Sequence, residues 1–213
     1  MNYECPSVTV SLDDEALIIQ SVEPMLAITS SVTGGGILPT RYILNMHVDK
    51  NYHCVSPADD LKSFAQSKGI NESFHGFMTA VYLNKMKSAT LHEQDITVTA
   101  FVTAGVSNAT SAGISAPAYF APGTINIILL VDANLTQAAL VNAVITATEA
   151  KTASLQEKNI HTLDGLLATG TSTDAICVAC TGRGKPTDYA GSATVVGWLM
   201  ARAVRDCLAS ALV

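Results

Sequence analysis

A short segment late in the chain concentrates residue types that can hold an oxyanion or an amide carbonyl. Residues 169–174 read Thr-Gly-Thr-Ser-Thr-Asp and directly precede an apolar run that predicts a strand. Their hydroxyls and backbone N–H groups place several donors in a small volume, which makes Thr171, Thr173 and Asp174 candidate site residues. The alternative is a Ser/Thr-rich turn in which Asp174 accepts hydrogen bonds from its own backbone.

An alanine-rich segment carries a second set of candidates. Residues 136–158 predict one helix, on which Asn142, Thr146 and Glu149 form a narrow polar stripe. Glu149 is the preferred general base or water-orienting group, and its alternative role is a structural ion pair. Lys151 points nearly opposite to Glu149 and must reach water or find a partner. A pair between Lys151 and Asp174 would be buried, and it could be structural or catalytic.

Two further groups of residues could contact a ligand. Ser30, Ser31 and the glycines at 34–36, among them Gly35, form a loop after a predicted strand. Glycines allow close approach of backbone to a ligand, but they also occur in tight turns. Asn45 and Asn126 lie within otherwise apolar strands, where each is either a satisfied core amide or a reader of substrate amides.

The Gly123–Thr124 bond raises a separate mechanism. A bond of this kind that splits itself frees a threonine whose own amine is the general base. The sequence runs continuously through Thr124, which weighs against cleavage. No metal is expected, because the histidines form no i, i+4 pair and a single Cys177-Val178-Ala179-Cys180 lacks a second ligand pair.

The elements that must position these residues are mainly strands, followed by long helices. This order predicts a single α+β domain over residues 1–213, a layered sandwich in which mostly antiparallel or mixed sheets are covered by the helices of the last third. The predicted strands are 7–11 and 16–21 (a hairpin), 25–31, 41–48, 77–83, 96–106, 125–131 and 175–180. The predicted helices are one of about ten residues that begins at Pro57 and stops at Gly69, one over 136–158 and one over 193–212.

The long helix predicts where the core lies. Between residues 96 and 148 the only charged residue is Asp132, which indicates strands buried on both faces and a helix packed over them. This helix is expected to be enclosed nearly all round, with its larger apolar residues facing the core: Leu140, Val141, Val144, Ile145, Thr148 and Leu155. Trp198 on the last helix is expected to be part of the core.

Composition excludes several classes of function. Apolar residues make up 48% of the 213 and charged residues 14%, which is typical of a folded chain and leaves room for a homo-oligomer interface. The net charge is −6 and the twelve Lys and Arg are scattered, so neither nucleic acid nor an anionic membrane is an expected partner. Five irregularly spaced cysteines and the lack of a signal peptide favour a cytoplasmic protein.

Several segments together resemble one known family, the adenosylcobinamide amidohydrolases of corrinoid salvage. The resemblance runs from about Leu26 to the final helix, and residues 142–152 and 169–174 are its most specific parts. The matching segments are Ser30-Ser31 with the glycines at 34–36, residues 42–45 with Val48, and residues 122–127, 139–152 and 168–175.

The resemblance implies hydrolysis of the aminopropanol amide of adenosylcobinamide to adenosylcobyric acid, without a cofactor. Glu149, Asp174, Thr171 and Lys151 are the expected catalytic residues, with Glu149 or Asp174 activating a water or a threonine hydroxyl. The expected substrate-binding residues are Ser30, Ser31, Gly35, Asn45, Thr124, Asn126, Asn142, Thr146 and Thr173. Two rivals are a corrinoid carrier or sensor without catalysis, and a self-cleaving threonine hydrolase or acyltransferase acting on small amides.

Overall fold

The computed structural model describes residues 7–117 and 123–212, and one large mixed sheet organises them. Its strands are β1 (Val8–Leu12), β2 (Ala16–Thr29), β3 (Gly36–His47), β4 (Phe74–Thr79), β5 (Lys87–Glu93), β6 (Ile96–Ala104), β8 (Ile125–Asp132) and β11 (Ala175–Cys180). Four two-residue strands lie outside it: β7 (Ala109–Thr110), β9 (Asn134–Leu135), β10 (Gly170–Thr171) and β12 (Pro186–Thr187). The helices are α1 (Pro57–Ser67), α2 (Gln137–Glu157) and α3 (Val195–Ala211), with a 3₁₀ turn at Leu83–Lys85.

The order of the strands is β4-β3-β2-β11-β8-β6-β5, and β1 pairs with the first half of β2. The pairs β3–β4 and β8–β11 are parallel, and their crossovers contain α1 and α2. The remaining pairs in the large sheet are antiparallel. Of the described helices, none is long and apolar enough to cross a bilayer.

The sheet folds over on itself. In a flat sheet β3 and β8 would lie about 14 Å apart, because β2 and β11 separate them and strands are spaced about 4.8 Å. Asn126 Nδ2 on β8 nevertheless donates to Asn45 Oδ1 on β3 at 3.0 Å. The two halves of the sheet therefore face each other as separate layers.

The helices cover the outer faces of these two layers. Leu44 and Met46 of β3 pack with Leu61 and Ala65 of α1 on one side. On the other side α2 and α3 pack on β6, β8 and β11. The core between the layers contains residues from both halves of the sheet: Leu17, Ile19, Ile43, Phe77, Phe101, Ile128, Leu130 and Cys177. The order helix, sheet, sheet, helix confirms the predicted α+β layered sandwich.

The strand β2 connects the two layers. It was predicted as two strands, 16–21 and 25–31, but it runs unbroken from Ala16 to Thr29. Its register against β3 shifts between Gln20 and Met25, and the intervening Val22, Glu23 and Pro24 are exposed. The break in the apolar pattern is thus an irregularity where the strand passes from one layer to the other.

The buried face of α2 differs from the predicted one. Val141 and Ile145 are 46% and 51% exposed, so the prediction that they face the core, and that the helix is enclosed nearly all round, is wrong. The small residues Ala139, Ala143 and Ala147 are fully buried instead. Small side chains let α2 approach both α3 and the sheet closely, so the alanine side forms the contact.

Two other predictions fail at the far edge of the sheet. The strand β5 was missed, because its exposed residues are Ser, Thr, His and Glu and its apolar content is low, as expected at an edge. Trp198 is 55% exposed on the first turn of α3, so its assignment to the core is wrong. The helix α3 buries Leu199 and Met200 instead.

Three buried thiols make folding sensitive to alkaline pH. Cys177 and Cys180 of β11 point to opposite faces of the sheet, as predicted for a CxxC on a strand, and Cys207 is buried on α3. Of the other two cysteines, Cys54 is free and half-buried, and Cys5 lies outside the described residues. Burial raises the pKa of Cys177 and Cys207 to about 12, and it also raises the pKa of Cys180.

We expect the free energy of unfolding to fall above pH 9, where the unfolded chain loses thiol protons that the folded chain keeps. The stabilisation is complete below that pH and declines toward pH 12, at about 1.4 kcal/mol per pH unit for each thiol. Urea unfolding at a series of pH values measures this slope. Cys177→Ala should reduce the slope and Cys54→Ala should not; equal slopes in the two variants would contradict the assignment.

Candidate active site

Strand ends from both layers meet at one edge of the folded sheet. The parallel strands β8 and β11 begin side by side there, with Ala175 opposite Asn126. The antiparallel neighbours β6 and β2 end at the same edge, where Gly105 N donates to Thr124 O at 2.9 Å and Ile176 N donates to Ser30 Oγ at 3.1 Å. Because β8 and β11 begin side by side, the residues just before them, Gly123–Thr124 and 169–174, lie next to each other.

Asp174 is the hub of one side of the site. Its Oδ1 accepts from Ile125 N at 3.1 Å and from the Thr171 hydroxyl, and its Oδ2 accepts from Thr171 N at 3.0 Å and from Lys151 Nζ. The side chains of Lys151 and Asp174 are 8% and 11% exposed, so the predicted buried pair is confirmed. Four donors occupy the four acceptor positions of the carboxylate, which leaves it fully engaged in holding its neighbours.

Gly170 allows this ion pair to form. A Cβ at residue 170 would lie 2.5 Å from Asp174 Oδ2 and 2.7 Å from Lys151 Nζ. The backbone of the 169–174 turn therefore passes directly against the paired charges. The sequence allowed either a binding loop or a turn in which Asp174 accepts hydrogen bonds from its own backbone. The structure shows the turn, in which Asp174 accepts from Thr171 N.

Asn126 joins the two layers beside Asp174. Its Nδ2 donates to Met78 O at 2.8 Å as well as to Asn45, and its Oδ1 accepts from Thr124 Oγ1 at 3.2 Å. Asn45 in turn donates to Thr103 Oγ1 at 3.4 Å. Asn45 and Asn126 are thus satisfied amides within the structure, and Asn126 orients the hydroxyl of Thr124.

The Gly123–Thr124 peptide lies at the mouth of the site. Gly123 O accepts from Asn108 Nδ2 and from Thr173 Oγ1, each at 2.7 Å. The Thr124 hydroxyl donates to Thr173 O at 2.8 Å or to Asn126 Oδ1. Asn108 is 7% exposed and its Nδ2 also donates to Ser172 Oγ at 2.9 Å.

A cavity of about 300 Å³ opens over these groups. Ser30, Thr124, Asn126 and Thr173 line one wall, and the end of β4 with the loop after β3 lines the other. It adjoins a cavity of about 420 Å³ along Lys50, Ala80 and Gly123. These two cavities share these three residues and form a groove that can accommodate a large ligand. A third cavity, of about 370 Å³, lies next to α2 on the other face of β11 and reaches Lys151 and Asp174.

Tyr52 forms part of the opposite wall of the first cavity. Its Oη donates to Asp60 Oδ2, in the first turn of α1, at 2.6 Å. Burial and this hydrogen bond raise the pKa of Tyr52, so the phenol stays protonated. Tyr52 can therefore bind a ligand as a neutral group.

Several predicted residues are not brought to this edge. Glu149 is exposed on α2, Asn142 is half-buried there, and Thr146 Oγ1 donates to Ala190 O at 2.9 Å. Ser31 Oγ donates to Thr33 O at 2.7 Å inside the β2–β3 turn, which also contains the exposed Gly35. Of the predicted residues in this turn, Ser30 lines the cavity, together with the unpredicted Val32.

We expect Glu149→Gln to change kcat/KM by no more than roughly a factor of two, as for other exposed substitutions far from a site. Glu149 points away from Lys151 and Asp174 on the same helix, so it has no route to the cavity. Steady-state kinetics with Asp174→Asn as the positive control checks this. If Glu149→Gln lowered kcat/KM by about tenfold or more, Glu149 would have a catalytic role after all.

Asn108 was missed by the sequence analysis. It follows β6, and the antiparallel pairing of Ala104 with Ile125 brings the end of β6 beside the start of β8. This pairing leaves no local pattern in the sequence, so the structure was needed to place Asn108 next to Gly123. Among the described residues, no three His, Cys, Asp or Glu side chains cluster as metal ligands would.

Comparisons with known proteins show which family the chain is similar to. The family model described as adenosylcobinamide amidohydrolase matches residues 4–213. The chain is 35% identical over 202 residues to an adenosylcobinamide amidohydrolase of Methanosarcina mazei, which covers 91% of this chain and 92% of that protein. It is 47% identical over 93 residues to an uncharacterised protein of Methanocaldococcus jannaschii, covering 43% of this chain and 36% of that protein.

A solved structure supports the fold. The crystal structure of a protein from Pyrococcus horikoshii superposes with a TM-score of 0.52 at 11% identity, over 96% of this chain and 82% of that one.

Proposed function

This chain belongs to the adenosylcobinamide amidohydrolase family, an amide-cleaving family of hydrolases, and we propose that it releases adenosylcobyric acid and aminopropanol from adenosylcobinamide. The observation that carries the proposal is the family match over residues 4–213, nearly the whole chain. The groove at the strand ends supports it, because it joins two cavities around a cluster of hydroxyl and amide groups.

We place the scissile amide against Thr124 in the first cavity. The Thr124 hydroxyl lines this cavity and is oriented by Asn126 Oδ1 and Thr173 O. Attack of this hydroxyl on the amide carbonyl would give an ester and free the aminopropanol, and water would then release the acid. Ser30 and Thr173, both exposed at the rim, are the groups available to the other substrate amides.

Asp174 and Lys151 act as positioning residues in this proposal. Asp174 Oδ1 holds the N–H of Ile125, the residue that follows Thr124. Lys151 neutralises the carboxylate from the α2 side of the sheet. Their contribution is to fix the start of β8, and with it the direction of the Thr124 hydroxyl.

We expect the purified, chelator-treated protein to convert adenosylcobinamide to adenosylcobyric acid, because the proposed groups are all side chains and backbone of this chain. Liquid chromatography with mass detection follows both products, and Asp174→Asn serves as the impaired control. Unchanged adenosylcobinamide would reject the substrate. Activity lost on chelation and restored by a divalent metal would reject a metal-independent mechanism.

A further inference from the structure

The carbonyl oxygen of Gly123 lies in a site that resembles an oxyanion hole. Two neutral side-chain donors, Asn108 Nδ2 and Thr173 Oγ1, each lie 2.7 Å from Gly123 O. Donors at this distance stabilise the negative charge that develops on oxygen in a tetrahedral intermediate. The residue that follows this carbonyl is Thr124, whose own hydroxyl is the nucleophile nearest in the chain.

We infer that the chain cleaves its own Gly123–Thr124 peptide bond, and that the freed α-amine of Thr124 is the general base of the site. In the first step Thr124 Oγ1 bonds to the Gly123 carbonyl carbon, the C–N bond breaks, and the hydroxyl proton passes to the departing nitrogen. In the second step water hydrolyses the resulting ester, which leaves a carboxylate on Gly123 and restores the hydroxyl. The second half of the inference rests on the proposed amide hydrolysis, whereas the cleavage does not.

The Thr124 hydroxyl has no general base among its hydrogen-bond partners. Its two acceptors are a backbone carbonyl, Thr173 O, and an amide oxygen, Asn126 Oδ1, both too weakly basic to take its proton at neutral pH. The carboxylate of Asp174 is occupied by four donors. An α-amine has a pKa of about 7.7–8.0, which is suited to general base catalysis near neutral pH.

The neighbourhood of Gly123 is shaped for this one bond. A Cβ at residue 123 would overlap Asn108 Oδ1 and lie 2.9 Å from Ser107 Oγ, so only glycine brings its carbonyl this close to Asn108. Asn108 Oδ1 is itself buried without a hydrogen-bond donor in the parts of the chain that the structure describes.

Mass spectrometry of the full-length protein under denaturing conditions tests the cleavage. We expect wild type to separate into residues 1–123 and 124–213, with the second fragment starting Thr-Ile-Asn. Thr124→Ala should stay whole and Thr124→Ser should still cleave. Asn108→Ala should slow cleavage by about 10²–10³-fold, as expected for the loss of one oxyanion donor.

Matched controls separate this chemistry from damage to the fold. Thr99→Ala removes a buried threonine of β6, Asn71→Ala removes an exposed asparagine, and both should cleave like wild type. Hydroxylamine should trap the ester and give a fragment ending in a Gly123 hydroxamate.

A wild-type chain that keeps its full mass, active or not, overturns the inference, as does equal cleavage of Thr124→Ala. Two fragments without product from adenosylcobinamide would keep the cleavage and reject the proposed substrate. An uncut chain that forms adenosylcobyric acid would support the proposed substrate and reject the cleavage.

Discussion

Asp174→Ala is expected to lower the free energy of unfolding by about 3–5 kcal/mol, because it leaves the buried Lys151 ammonium without its partner. It also removes the acceptor for Ile125 N and Thr171 N, so the start of β8 and the 169–174 turn lose their common anchor. We expect kcat/KM for adenosylcobinamide to fall by about 10²-fold or more, since small displacements of a nucleophile have effects of that size.

A double variant separates the structural and catalytic contributions of this pair. Lys151→Met should be milder than Asp174→Ala, because the carboxylate keeps two backbone donors and the Thr171 hydroxyl. Lys151→Met combined with Asp174→Leu should recover stability in urea unfolding but not turnover. Glu157→Gln, which breaks an exposed pair with Arg205, is the control and should change little. A double variant that regained activity would contradict the positioning role of Asp174.

Asn126→Ala is expected to lower the free energy of unfolding by about 2–4 kcal/mol. It leaves the buried acceptor Asn45 Oδ1 and the partly buried acceptor Met78 O without the donor that they share, and each costs about 1–3 kcal/mol. Because Asn126 also orients the Thr124 hydroxyl, we expect kcat/KM to fall by about 10²-fold.

Chemical denaturation and steady-state kinetics measure the two effects of Asn126→Ala separately. Asn71→Ala, on an exposed loop, is the matched control and should leave both quantities near wild type. If Asn126→Ala lost stability but kept full activity, its role would be limited to joining the layers. That result would contradict the proposed orientation of Thr124.

Local patterns in the sequence were enough for most elements of the fold. The helix α2 begins after the N-cap Thr136, whose side chain accepts from Ala139 N, and it was predicted over nearly its full length. The strand β11 was predicted with its observed bounds. The failures depend on tertiary contacts: β2 continues through exposed residues at a layer change, and α2 buries alanines because two neighbours approach it closely.

Within the site, the sequence predicted only the contact between residues of one crossover connection, the helix α2 and the start of the strand β11 that follows it. The contact of Lys151 with Asp174 follows from a helix that lies next to the strand it precedes. Asn45 and Asn126 meet because the sheet folds over, and Asn108 meets Gly123 because β6 runs antiparallel to β8. Neither relation leaves a local pattern, so both asparagine contacts required the structure.

The place of β8 and β11 in the sheet has a consequence for how the protein is made. These strands lie side by side between β2 and β6, although they come from a later part of the chain than both neighbours. While the ribosome is still producing the C-terminal half, β2 and β6 each present an unpaired edge that another nascent chain can join. We therefore expect chaperones to bind the nascent chain until residue 180 has left the ribosome. A gene truncated before β8 should yield aggregates instead of a smaller folded protein.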